Sequence, residues 1–306
     1  MIYRRCISTL VLSALICPGS LRAQAPQSTP TIAFTDNANN SSFPFDWRKG
    51  TIVVPVRLNG SRPLLFVLDT GSTRMLVDRT IAASLGMKIS GTGSLQGAGA
   101  GRIPIEFIQD VSMSLPGVES SGYEFSTADL RPLEAANDGK VDGILGYEFF
   151  RRFVITINYH DKILTLTSPE AFHPDASAKT KMLPIELRGK WAFVKGELTF
   201  PGTVAVQDSF LIDTGSSDEV DHPIVMQIQS RIPTTSGVGF GQPIQGAVAH
   251  AKAFTLGGYS VADSLVSCCG ATDATSKLIG NEVLRRFTVT FDYPSSRMFI
   301  MPNSDY

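Results

Sequence analysis

From Trp47 onward the apolar positions fall in short runs, each closed by turn-forming residues. Residues 51–58, 64–69, 103–111, 153–159 and 162–167 carry this pattern, with Asn59-Gly60 and Pro116-Gly117 among the breaks. Such runs predict strands, because β-branched and aromatic side chains pack well on a pleated surface while Gly, Pro and Asn supply the turns. Residues 80–85 predict a short helix ended by Gly86. The second half opens in the same way, with strands over 191–200 and 204–213. The expected class is all-β with a few short helices.

The pattern also repeats. Ile144-Leu145-Gly146-Tyr147-Glu148-Phe149-Phe150-Arg151-Arg152-Phe153 aligns with Leu278-Ile279-Gly280-Asn281-Glu282-Val283-Leu284-Arg285-Arg286-Phe287, and the match continues from Val154 to Tyr159 against Thr288 to Tyr293. A period this long means a duplicated lobe rather than a solenoid. Two lobes follow, 47–168 and 183–306, joined by a Pro-containing linker over 169–182 and related by a pseudo-twofold. Residues 26–46, rich in Pro, Ser, Thr and Asn, are expected as a flexible lead-in. The repeated Arg151-Arg152 and Arg285-Arg286 pairs read as a solvated helix face, with a lobe-to-lobe salt bridge as the second choice.

Each half carries one candidate for chemistry. Leu68-Asp69-Thr70-Gly71-Ser72 and Ile212-Asp213-Thr214-Gly215-Ser216 lie 144 residues apart, each at the end of an apolar run. A carboxylate delivered to the end of a buried strand is costly unless something pairs with it. Two such sites suggest that each aspartate is the other's partner. Gly71 and Gly215 allow a sharp backbone turn and close approach of an amide to the carboxylate. The Thr70 and Thr214 hydroxyls can bond the opposite loop, and the Ser72 and Ser216 hydroxyls can hold the outer carboxylate oxygens. If the loops meet, two like charges cannot both ionise cheaply, so the pair keeps one proton over a wide pH range. The ionised member can then take a proton from water while the other donates to a carbonyl under attack.

Composition narrows the alternatives. With 27 basic and 28 acidic residues and no basic run, the chain has no nucleic-acid footprint. Arg4, Arg5, an apolar stretch from Cys6 to Cys17 and Ala23-Gln24-Ala25 read as a signal peptide over 1–25, so the protein is expected to be exported, to a periplasm or the outside. No later segment is apolar enough to span a bilayer. Cleavage there leaves 24 basic against 28 acidic residues and only Cys268 and Cys269. Adjacent cysteines close no long loop; buried thiols are the favoured reading over a vicinal disulfide. The four histidines are scattered, so no metal site is expected, and no cofactor. A Gly-x-Ser-x-Gly elbow is missing, which removes the main signal for an α/β-hydrolase.

The doubled Asp-Thr-Gly-Ser, together with Asp142-Gly143-Ile144-Leu145-Gly146, resembles the pepsin-like and retropepsin-like aspartic proteases, above all exported bacterial members with two lobes in one chain. The resemblance spans about residues 48–303 and implies a bilobal acid-protease fold. It further implies a dyad of Asp69 and Asp213, tied by Thr70 and Thr214 and supported by Ser72 and Ser216, with Gly146 and Gly280 behind the loops. This family's shared-proton dyad is itself a standard case of the principle used above. The substrate would be an extended peptide or protein, water the nucleophile, and a monomer sufficient. Two glycine-rich hairpins are the flap candidates: Gly97, Gly99 and Gly101 in the first half, and Gly239, Phe240 and Gly241 in the second. The family's flap tyrosine and disulfides are absent; Tyr123 is not in a matching place. That departure keeps a second reading open, a catalytically inactive peptide-binding module on the same fold. A carbohydrate-binding β domain would leave the identical loops of the two halves unexplained.

Overall fold

A computed structural model of the protein describes residues 31–96, 102–134, 137–236, 244–268 and 277–306. The flap candidates Gly97, Gly99, Gly101, Gly239, Phe240 and Gly241, the expected signal peptide and Cys269 lie outside them. Strand dominates, and the helices are short, as in Arg79–Ser84, Tyr147–Phe150 and Asn281–Leu284. Three sheets carry the fold: one of nine strands in the first half, one of ten in the second, and one of six built from both.

The strands that lead into the two Asp-Thr-Gly loops show why the apolar runs fold as they do. Leu64–Leu68 lies between Thr51–Leu58 and Gly143–Leu145, pairing antiparallel with the first and parallel with the second. A strand with neighbours on both edges and packing on both faces reads as a continuous apolar run. Val206–Ile212 repeats this between Trp191–Thr199 and Leu278–Ile279. In both halves the short strand after the loop, Leu76–Asp78 or Val220–Asp221, pairs antiparallel with the strand that carries the apolar-apolar-Gly element.

The six-stranded sheet fixes one lobe against the other. Val154–Asn158 pairs antiparallel with Phe287–Asp292, matching Ile155 with Phe291, Thr156 with Thr290 and Ile157 with Val289. Thr156 and Thr290 are equivalent positions of the sequence repeat and face each other here, their hydroxyls 2.9 Å apart. The pseudo-twofold axis therefore passes between them. Phe150, Phe291 and Tyr293 pack beneath, joining both halves into one buried apolar cluster.

Three expectations need correction. Residues 31–46 are not a flexible lead-in: Ile32–Phe34 pairs with Val118–Ser120, and Asn40–Pro44 forms the edge of the shared sheet against Ile163–Thr167. Burial of Phe43 and Phe45 anchors that segment despite its polar composition. Cys268 is disulfide-bonded rather than a buried thiol. Finally, the repeated arginines divide. Arg151 and Arg285 do lie on helix faces, pairing with Glu148 at 3.0 Å and Glu282 at 2.7 Å. Arg152 instead covers the Tyr123 ring at 3.7 Å within its own lobe, and Arg286 reaches Glu219 at 3.9 Å within the other. Tyr123 itself is buried in the core.

Candidate active site

Each aspartate leaves its strand at the point where the parallel neighbour ends. The Asp69 N–H donates to Leu145 O at 3.0 Å, and the Asp213 N–H donates to Ile279 O, also at 3.0 Å. The next residue locks the two loops together. Thr70 N–H donates to Thr214 Oγ1 at 3.0 Å and Thr214 N–H to Thr70 Oγ1 at 2.9 Å. Each hydroxyl then donates to the opposite strand, Thr70 to Ile212 O at 2.7 Å and Thr214 to Leu68 O at 2.9 Å. Both threonines are fully buried, so all four backbone groups depend on this exchange.

The exchange brings the carboxyl groups of Asp69 and Asp213 within hydrogen-bonding reach of each other. Both are half-buried. Gly71 N–H donates to Asp69 Oδ1 at 2.8 Å, and Gly215 N–H to Asp213 Oδ1 at 2.9 Å. A Cβ on Gly71 would stand 2.7 Å from Asp213 Cγ, and one on Gly215 2.5 Å from Asp69 Cγ. Glycine is needed here for close approach to the opposite carboxyl, not for a left-handed backbone, since neither has positive φ.

The serines do something other than the sequence suggested. Ser72 Oγ donates to Arg74 O at 2.9 Å, while Ser216 Oγ accepts from Asp218 N–H at 3.1 Å. These are local turns that close the loop ends; the Ser216 hydroxyl also donates to Asp218 Oδ2 at 3.3 Å, and neither hydroxyl holds an oxygen of Asp69 or Asp213. What reaches Asp69 from Ser72 is its backbone N–H, at 3.1 Å.

Gly146 and Gly280 lie directly behind the loops. A side chain on Gly146 would collide with the carbonyl oxygens of Ser72 and Arg74, and one on Gly280 with that of Asp218. The following amides, Tyr147 N–H and Asn281 N–H, donate to Ser72 O and Ser216 O at 3.0 and 2.9 Å.

Burial raises both carboxyls above the usual aspartate range. Asp213 is raised well above it, because it also faces the Asp69 charge and has one backbone donor, Gly215. Hydrogen bonds from Asp213, Gly71 and Ser72 favour the ionised form of Asp69. Both shifts dispose the pair to share one proton, with Asp213 the more strongly raised, a geometry fit for general acid–base work on a bound carbonyl. Among the described residues no cluster of three His, Cys, Asp or Glu is placed to hold a metal ion.

Residues 54–149, within the first lobe, match the family model described as aspartyl protease. The whole fold is similar to the crystal structure of an aspartic proteinase from Irpex lacteus, with a TM-score of 0.58 over 87% of this chain and 98% of that one, at 12% identity. No curated protein sequence matches the chain. The chain has the fold of an aspartic proteinase, and its first lobe matches an aspartyl protease family. The family match ends before Asp213. For that half of this aspartic protease fold, the internal repeat and the symmetric threonine exchange place the second aspartate.

Three residues at the site escaped the sequence reading. Asn281 Nδ2 donates to Gly50 O and Thr214 O, both at 2.7 Å, and its Oδ1 accepts from Tyr159 at 2.9 Å. Trp191 Nε1 donates to Gly71 O at 2.9 Å, from the opposite lobe. The repeat gave Asn281 a visible mark, since it aligns with Tyr147. Nothing in the sequence marked Trp191.

Proposed function

We propose that the protein is an aspartic endopeptidase, hydrolysing peptide bonds with water activated between Asp69 and Asp213. The observation that carries this reading is the pair of carboxyls at the seam, held in mutual reach by the buried exchange of Thr70 and Thr214. In the first step Asp69 takes a proton from water, whose oxygen bonds to the scissile carbonyl carbon. Asp213 gives its proton to the carbonyl oxygen, leaving a neutral tetrahedral diol. In the second step Asp69 gives its proton to the amide nitrogen, the C–N bond breaks as Asp213 takes a proton from a diol hydroxyl, and a carboxylic acid and an amine leave. Atoms balance with one water consumed, and the dyad returns to a single shared proton.

The substrate is an extended peptide or protein. Two antiparallel pairs, Ile89–Gln96 with Arg102–Leu115 and Ile232–Ser236 with Ile244–His250, offer strand arms from each lobe for backbone recognition by strand addition. The basic start, apolar stretch and small-residue site over 1–25 support export, and one chain holding both aspartates makes a monomer sufficient.

The test is cleavage of a mixed peptide substrate across the acid-to-neutral range by the wild type, Asp69→Asn and Asp213→Asn. Cleavage by the wild type and none by either variant is expected. Activity surviving in a single variant refutes the dyad. Binding of extended peptides without products favours the inactive peptide-binding module.

A further inference from the structure

The doubled fold gives the two aspartates matching main-chain bonds and one glycine donor each, but not the same number of backbone donors. Asp69 Oδ1 accepts two backbone donors, Gly71 N–H at 2.8 Å and Ser72 N–H at 3.1 Å. Asp213 Oδ1 accepts Gly215 N–H at 2.9 Å; Ser72 and Ser216 N–H each also lie 3.3 Å from the main-chain oxygen of their own aspartate, and the Ser72 N–H alone is shared with the carboxylate as well. The Gly71 carbonyl and the Ser72 N–H belong to one planar peptide unit and point in opposite directions. The Trp191 indole N–H, 2.9 Å from Gly71 O, fixes that plane from the other lobe.

Strand register shows what stands at the equivalent place. Arg48 pairs with Thr51 as Arg188 pairs with Trp191, each across a two-residue turn. Thr51 sends its hydroxyl to Arg48 O at 2.7 Å and Asn137 Oδ1 at 2.6 Å, both within its own lobe. The Gly215 carbonyl therefore receives no counterpart of the indole.

We propose that Trp191 is a positioning residue that makes the dyad unsymmetrical: by holding the Gly71–Ser72 peptide it turns the Ser72 N–H onto Asp69 Oδ1, so that Asp69 carries the charge and Asp213 the proton. This deepens the peptidase reading and rests on it for its catalytic meaning, though the carboxyl assignment stands without it. The other titratable groups facing the pair are Asp218 on the second loop and Tyr293 on the shared sheet. Lys190, beside Trp191, is engaged with Glu148 at 3.1 Å. None of these reaches the Gly71–Ser72 peptide.

The experiment follows the dyad carboxyls directly, by carbon-13 NMR of aspartate-labelled full chain against pH, with Asp69→Asn and Asp213→Asn for assignment. The wild type is expected to show two separated steps, the lower belonging to Asp69. Trp191→Phe, which keeps an aromatic ring and removes the donor, should raise the lower step by about one unit, the effect of one lost hydrogen bond to the charged form. Thr51→Val should leave it in place. An unmoved lower step in folded Trp191→Phe, or an equal shift in Thr51→Val, overturns the proposal.

A second readout does not depend on a Trp191 variant folding. The chain has two tryptophans. The wild-type Trp191 indole proton, assigned against Trp47→Phe, should shift at the pH of the lower step; a flat response overturns the proposal. Peptide cleavage run in parallel separates the two claims. Separated steps without cleavage refute the peptidase reading alone, and cleavage with an unmoved step refutes the role of Trp191 alone.

Discussion

Thr214→Val is the substitution that most directly weighs the joint between the lobes. Valine matches threonine in shape but can neither accept from Thr70 N–H nor donate to Leu68 O, which the hydroxyl now serves at 3.0 and 2.9 Å. The site is fully buried, so water cannot replace the lost partner. Leaving a buried polar group unpaired costs about 1–3 kcal/mol, and here two are left, for a loss of about 2–6 kcal/mol. The added methyl returns about 0.8 kcal/mol. The expected net destabilisation is therefore about 1–5 kcal/mol, with about 3 the central value. Thr214→Ser separates the hydroxyl from the methyl: it keeps both hydrogen bonds and loses about 1 kcal/mol of packing. Urea denaturation followed by tryptophan fluorescence gives the order wild type, then serine, then valine. Cleavage should follow the same order, with valine losing on the order of a hundredfold, since a displacement of about 1 Å in reacting groups has that effect. A valine variant within about 0.5 kcal/mol of wild type, or less damaging than serine, refutes the claim that these hydrogen bonds hold the loops.

Other outcomes follow from the same geometry. Gly215→Ala places a Cβ 2.5 Å from Asp69 Cγ, and Gly71→Ala one 2.7 Å from Asp213 Cγ, so each should abolish cleavage while the protein still folds; near-wild-type turnover in either would show that the carboxyls are not held this close. Asp69→Asn and Asp213→Asn should each abolish cleavage, measured with a mixed peptide substrate, and the wild-type profile should be bell-shaped, falling as Asp69 gains a proton at low pH and as Asp213 loses its own at higher pH. Burial pushes Asp221 up to about 6, so its contribution to stability is complete below the ordinary aspartate value and is lost as pH rises through about 6. That shift of about two units is worth at most about 3 kcal/mol, and Asp221→Asn should flatten the urea midpoint between pH 4 and about 8; parallel wild-type and variant profiles would refute it.

The sequence disclosed the joint because joint and repeat are the same feature. Apolar runs ending in Asp-Thr-Gly placed both aspartates, and the predicted strand at Thr51–Leu58 is the observed one. The alignment of Thr156 with Thr290 even located the axis, once register put them face to face. What stayed hidden depended on contacts between distant residues. Asn40–Pro44 has weak strand propensity and becomes a strand because Ile163–Thr167 offers it an edge, with Phe43 as its one buried side chain. The motif suggested that Ser72 would serve Asp69 through its hydroxyl. The turn conformation directs the hydroxyl along the loop instead and leaves the backbone amide facing the carboxylate.

Symmetry assembles this site, but acid–base chemistry requires its two carboxyls to differ. The chain departs from its own repeat where the loops are held. At one position Thr51 faces Trp191, and only the indole reaches a catalytic loop. At another Tyr147 faces Asn281, and only the amide links Thr214 O to Gly50 of the other lobe. Each loop is thus held across the seam by a different chemical group: an indole N–H on Gly71 O, a carboxamide on Thr214 O. Tyr159 donates to that carboxamide, whereas its repeat partner Tyr293 is buried with its hydroxyl unpaired, and burial and both aspartate charges push its pKa up and oppose its ionisation. A neutral Tyr293 adds no charge near the pair. Asp69 and Asp213 differ in backbone donors, two against one, and in the Asp218 charge that faces Asp213; the second donor on Asp69 is the one whose peptide Trp191 holds. Duplication supplied two matching acids, and side chains that break the repeat, Trp191 and Asp218, give them unequal surroundings.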